Sequence, residues 1–154
     1  MKKIFGLMLL CATIVGFVSC EKDDGEIYYA GKQKEVVEFF SGRTFVNTFA
    51  IGDWYSTTTI KFSKAYNPPI KGTLEKGNEL WIYGQYDITH SGSNTTPSTY
   101  TKYYWIPLEG DQLCSFVKTQ NINSSDIRDI KIVDNNTFKM KLPDTYTWDT
   151  FTAK

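Results

Sequence analysis

Apolar and polar residues alternate with a period of two along most of this chain, the signature of half-buried β-strands. Helical spacing occurs once, over Lys32 to Ser41, where Val36, Val37 and Phe40 share a stripe. Gly42 follows, at the position where helices favour glycine. Strands are then expected at Thr44–Phe49 and Tyr55–Ser63, the second presenting Ile60 and Phe62 on one face before Asn67-Pro68-Pro69 interrupts it. The clearest alternation is Leu80–Ile88, with Leu80, Ile82, Gly84, Tyr86 and Ile88 on one side and Trp81, Tyr83, Gln85 and Asp87 on the other, after a turn at Lys76-Gly77-Asn78.

The stretch His90–Ser98 carries Ser, Thr, Asn, Gly and Pro97 without a large apolar side chain, which predicts a flexible loop. Strands resume at Tyr100–Leu108, Gln112–Thr119, Ile127–Val133, Thr137–Leu142 and Thr145–Ala153, with a polar break at Asn121–Ser125 and a hairpin turn at Asp134-Asn135-Asn136. Phe138, Met140 and Leu142 are expected to face inward, and Tyr146 and Trp148 to share a face. About eight strands behind one short helix predict a mainly β fold, an antiparallel meander barrel whose closure removes exposed edges. An open β-sandwich satisfies the same pattern.

The N-terminus obeys a different rule. Lys2 and Lys3 precede the apolar run Ile4–Val18, which is too short for a span of about 20 residues and ends at Ser19-Cys20 before Glu21-Lys22-Asp23-Asp24. A cleaved signal fits this arrangement. Phe17-Val18-Ser19-Cys20 resembles a lipobox, with Phe17 where such motifs more often carry Leu. The resemblance implies a diacylglycerol and an N-acyl chain on Cys20 as the only attached groups, and no separate cofactor. At about 0.8 kcal/mol per buried CH₂, two or more chains hold a protein stably on a membrane. The acidic run after the cysteine is similar to the surface-export signal of Bacteroidetes lipoproteins, which implies an outer-membrane address and display at the cell surface.

The succession of lipobox, short helix with Phe40-Ser41-Gly42, hairpins and the late pair around Ile132-Val133-Asp134-Asn135-Asn136-Thr137-Phe138 resembles small lipocalin-like lipoproteins. Gly52-Asp53-Trp54 matches that family's Gly-x-Trp, one strand-like segment later than usual. The chain accordingly divides into a signal peptide (1–19), a lipidated tether (20–31) and a lipocalin-like β-barrel domain (32–154).

Without Lys2 and Lys3, the 17 Lys and Arg fall to 15 against 17 Asp and Glu, so the mature side chains carry a formal charge of −2 and nucleic acid is not the expected partner. Beyond Cys20, the mature chain has only Cys114, so no intramolecular disulfide is available and a buried free thiol is expected. One histidine, His90, and no His/Cys cluster with metal spacing argue against a metal site. Neither a nucleophile elbow nor a phosphate-cradling glycine loop is present, so an enzyme is not expected.

A barrel of this strand number holds a small ligand in its mouth. The aromatics Trp81, Tyr83, Tyr103 and Trp105, alternating away from the apolar face of their strands, are the candidate contacts for an apolar or carbohydrate ligand, although core packing is the commoner fate for any one of them. The other reading is a non-enzymatic accessory subunit docking on a surface assembly. Cys20→Ala is expected to abolish lipidation, and radiolabelled fatty acid still entering that variant would overturn the anchor.

Overall fold

Helix α1 spans Gly31–Phe40 and buries Val36, Val37 and Phe40, as its spacing predicts. It stops because Gly42 adopts φ +72°, a left-handed conformation that costs glycine little, while Gly42 N donates to Ser63 O at 2.9 Å and Arg43 N to Phe40 O at 3.1 Å. The structure, a computed structural model, describes residues 31–73, 79–117, 126–142 and 145–154. The signal and tether with Cys20, the Lys76-Gly77-Asn78 turn, Lys118-Thr119 and the Asn121–Ser125 break lie outside the described residues.

Ten strands follow: β1 (Thr44–Ile51), β2 (Trp54–Phe62), β3 (Ile70–Thr73), β4 (Glu79–Ile82), β5 (Gly84–Gly92), β6 (Thr95–Trp105), β7 (Gln112–Phe116), β8 (Asp126–Asp134), β9 (Thr137–Lys141) and β10 (Asp149–Ala153). Eight of them form a closed barrel in the order β1-β10-β9-β8-β7-β6-β5-β2, every neighbouring pair antiparallel. The barrel closes where Phe45 pairs with Ala153 and Lys154 N donates to Thr44 O at 3.0 Å. Both edges of the meander are thereby satisfied, which a sandwich would leave open. The expected eight-stranded barrel with one short helix is the architecture found.

Three segments depart from the expected boundaries. A short hairpin, β3–β4, stands apart as its own two-stranded sheet, so the single strand expected over Leu80–Ile88 is cut at Tyr83. Tyr83 N donates to Tyr104 O at 3.0 Å and Tyr83 O accepts from Tyr66 N at 2.8 Å, which fixes the bend. At the far end, Leu142 is exposed rather than inward, and Tyr146 and Trp148 precede the last strand instead of sharing one of its faces, because Thr145 turns the chain back with its N and Oγ1 both donating to Leu142 O, at 3.3 and 2.7 Å. Strand β10 begins only at Asp149.

The expected loop over His90–Ser98 is the largest correction, since β5 runs to Gly92 and β6 starts at Thr95. Two residues turn the chain, and Asn94 takes φ 61°, which Asn tolerates better than most side chains. Ser93 locks the tip by donating from N to Tyr55 O at 2.9 Å and accepting from Tyr55 N at Oγ, 3.0 Å. Ladder bonds and threonine pairs such as Thr89–Thr99, 2.8 Å between hydroxyls, provide here the stabilisation that apolar burial does not. Gly92 is required sterically, for a Cβ there would lie 2.5 Å from Tyr55 O.

One end of the barrel is sealed by α1. Phe40, fully buried, stacks on Phe62 at 4.4 Å and meets Phe138 edge-on at 5.0 Å, while Phe45 approaches Phe138 at 5.0 Å and Phe138 stacks on Phe151 at 5.1 Å. Each such pair adds roughly 0.5–1.5 kcal/mol beyond area burial. Gln33 Nε2 donates to Ile106 O at 2.6 Å, and Arg43 donates to Asn135 O at 2.7 Å with its guanidinium 4.7 Å from the Phe39 ring centroid, so the helix is clamped at both ends. Phe40→Ala is expected to cost about 3–5 kcal/mol. Urea unfolding checks it, and a loss under about 1 kcal/mol would show that the helix is not part of the cooperative core.

Candidate functional site

Because side chains alternate across a strand, the register identifies which residues face the barrel interior. Phe45 pairs with Ile60, Ile60 with Ile88 and Ile88 with Tyr100, so these share the inner face. One step toward the end opposite α1, Asn47, Thr58, His90 and Ser98 occupy equivalent positions. The interior therefore changes from phenylalanine near the helix to polar groups at the other end.

At that end the barrel opens into a cavity of about 200 Å³. Its apolar floor and wall come from Ile60, Tyr86, Ile88, Met140 and Phe151, contributed by four strands. The same lining includes Lys102, Asp126 and Arg128 on β6 and β8, with Asn47, Thr58, His90 and Tyr100 toward the rim and Asp149 on β10. At about 30 Å³ per water, the volume corresponds to some seven waters. A second cleft, of about 240 Å³ between α1 and Ala65–Asn67, has Lys34 and Glu38 as its charged groups, and these pair with one another at 3.9 Å. The barrel mouth combines an apolar floor from several strands with converging polar groups, the usual composition of a small-molecule site.

The charged wall is a connected network. Arg128 forks onto Asp126 with Nε to Oδ1 at 2.9 Å and an Nη to Oδ2 at 3.2 Å, and Lys102 Nζ reaches Oδ2 at 3.0 Å. Burial alone would raise the Asp126 carboxyl, but the hydrogen bonds and charges of Arg128 and Lys102 outweigh it and hold the group below its ordinary range. Beneath it, Tyr86 donates its hydroxyl to Ser115 Oγ at 2.8 Å, and burial pushes the phenol up to about 12 despite that bond. At the rim, Thr58 Oγ1 and His90 Nδ1 lie 3.1 Å apart, which places the sole histidine on a strand rather than in a loop.

None of the four aromatics singled out by alternation lines this cavity. Tyr103 and Trp105 lie on the outer face of β6, where Tyr103 stacks on Phe116 at 5.7 Å and Trp105 tilts against the same ring at 6.0 Å. Tyr83 is buried in the core at 1% exposure, and Trp81 on β4 packs against the core with Lys71 Nζ 5.9 Å from its ring centroid. The structure thus brings together Tyr103 and Trp105 as an external cluster and leaves the lining to the opposite face. Tyr86, Ile88 and His90 share one alternation, and Tyr100 and Lys102 share another. The missing signal was that Lys102 and Arg128 fall on the apolar face of their strands.

Cys114 is a free, buried thiol that burial, with a further contribution from Asp111, pushes up to about 12, so it is protonated at neutral pH. Among the described residues, no group of three or more His, Cys, Asp or Glu side chains is arranged to hold a metal ion. Compared with family models, curated proteins and solved structures, the chain matches none.

Acid sensitivity follows from Asp126. Its folded-state carboxyl is depressed, so its contribution to stability is present above the ordinary value of 3.8 and is lost as pH falls from there toward the folded value. The stability gap between the natural chain and Asp126→Asn, measured by urea unfolding, is expected to be wide at pH 7 and to shrink at pH 3. A gap that widens on acidification would contradict the network.

Proposed function

We propose that this protein is a lipid-anchored lipoprotein of the outer membrane that binds a small ligand, apolar or carbohydrate, in the open mouth of its β-barrel. The observation that carries the reading is the asymmetry of the interior: sealed by phenylalanine at the helix end, and open, amphipathic and lined from many strands at the other. A fold needs only the first. Binding, not catalysis, is the proposed role, since the carboxylate of the charged wall, Asp126, is held by two cations and serves as a fixed partner.

The resemblance to a lipobox supports the anchor at Cys20. The chain enters the barrel through α1 at the sealed end, an arrangement that leaves the mouth free when the N-terminus is tethered. The resemblance of its layout to that of lipocalin-like lipoproteins supports the reading.

A second reading, an accessory subunit that docks on a surface assembly, is favoured by the exposed residues Phe49, Ile51, Trp54 and Tyr55 at the β1–β2 tip. Native mass spectrometry of the delipidated domain purified from its own cell separates the two. A small-molecule adduct released on unfolding, and reduced in a folded Thr58→Trp variant whose indole fills the mouth, is the expected result. Co-purification of a stoichiometric protein partner without such an adduct would favour docking instead.

A further inference from the structure

Charged side chains facing the inside of a barrel are expensive unless something uses them. Lys102, Asp126 and Arg128 are all half-buried on the inner wall, with side-chain exposures of 20, 28 and 32%. Two cations share one carboxylate, so the wall carries a formal charge of +1. The donors are not exhausted either. Lysine offers three N–H groups and arginine five, whereas Asp126 takes one from Lys102 and two from Arg128. The remaining negative group of the cavity, Asp149, sits on β10 and makes no ion pair with either cation within 4.0 Å among the described residues.

Around the rest of the cavity, Ile60, Ile88, Met140 and Phe151 offer an apolar surface with no hydrogen-bonding groups in their side chains. The β1–β2 hairpin continues that surface beyond the rim, because Phe49, Ile51 and Trp54 share the inner-facing alternation of Asn47 and Thr58. They remain 54, 66 and 45% exposed, with the Phe49 and Trp54 rings 6.0 Å apart, so this lip does not serve the core.

Resting on the reading of the mouth as a ligand site, we infer that its ligand is a small organic carboxylate with a compact apolar body. The carboxylate takes the spare donors of Lys102 and Arg128, and the body lies on Ile60, Ile88, Met140 and Phe151. Asp126 is the permanent counter-ion. It keeps the two cations from being buried unpaired when the ligand leaves, and it competes with the ligand for them, which sets the affinity below what two free cations would give. Asp149 brings the formal charge of the whole cavity to zero but stands apart from the cations, so a neutral sugar would find acceptors and donors here yet leave the spare charged donors of Lys102 and Arg128 without an anionic partner.

Titration calorimetry on the full mature chain in nanodiscs of uncharged lipid tests this with three probes: phenylacetate, its neutral isostere phenylacetamide, and methyl β-glucoside. Phenylacetate is expected to bind at least about tenfold more tightly than the amide, the factor that one charge-assisted hydrogen bond supplies. Lys102→Gln leaves the Arg128–Asp126 fork intact and should reduce that preference to about twofold. Asp126→Asn should tighten phenylacetate severalfold and leave the amide unchanged, an outcome that a merely structural carboxylate would not produce. Equal binding of acid and amide, or binding of the glucoside alone, overturns the carboxylate while leaving the mouth a ligand site. Binding of none of the three also overturns it, and the adduct in native mass spectra then decides the wider reading separately.

Discussion

The ring of Phe40 on the ring of Phe62, 4.4 Å apart, is the contact on which the rest of the molecule depends. A closed barrel of eight strands has two open ends, and a chain of this length cannot fill the interior from the strands alone without choosing where its large side chains go. Here α1 delivers Phe40 and Val37 into one end, where Phe45, Phe62, Phe138 and Tyr104 converge. With the apolar core concentrated there, the opposite half of the barrel is relieved of that duty. Polar groups at Asn47, Thr58, Lys102 and Arg128 are tolerable because the plug already supplies the burial that folding needs.

The charged wall follows a related logic. Removing one partner from a half-buried ion pair leaves the other desolvated and unpaired, whereas a complete set costs much less. Asp126 satisfies Lys102 and Arg128 together, and the Tyr86–Ser115 hydrogen bond closes the layer between this network and the phenylalanines below. Polarity is graded with depth: hydroxyl and imidazole at the rim, charge on one wall, phenol beneath, aromatic hydrocarbon at the bottom.

How much of this was legible in the residues depends on which face a periodicity argument selects. The alternation of Phe138 and Met140, of Ile60 and Phe62, and the stripe Val36-Val37-Phe40 identify inner positions correctly, because each places its large apolar groups on one side. In Tyr103-Tyr104-Trp105 both faces are aromatic, so period two cannot say which turns inward; burial of Tyr104 decides it. The β5–β6 tip fails for another reason. A segment of threonine, serine and glycine lacks the apolar groups that a loop-or-strand argument weighs, yet its order comes from backbone bonds to Tyr55 and from hydroxyl pairs, which composition does not display. The mouth was hidden for the same cause as the outer aromatics were prominent: its residues are mixed, and only the register of β6, β7 and β8 makes Lys102 on β6 the neighbour of Asp126 on β8.

The position of the helix also orients the molecule relative to whatever holds its N-terminus. Gly31 begins α1 at the sealed end, where Gln33 is bonded to the β6–β7 connection. The ten residues 21–30 reach at most about 36 Å at ~3.6 Å each, and the nine-residue strands β2 and β5 extend roughly 30 Å at ~3.3 Å per residue, less after tilting. Were Cys20 the anchor proposed above, a tether of that reach would allow the mouth with its Phe49–Trp54 lip to stand more than a barrel height from the bilayer.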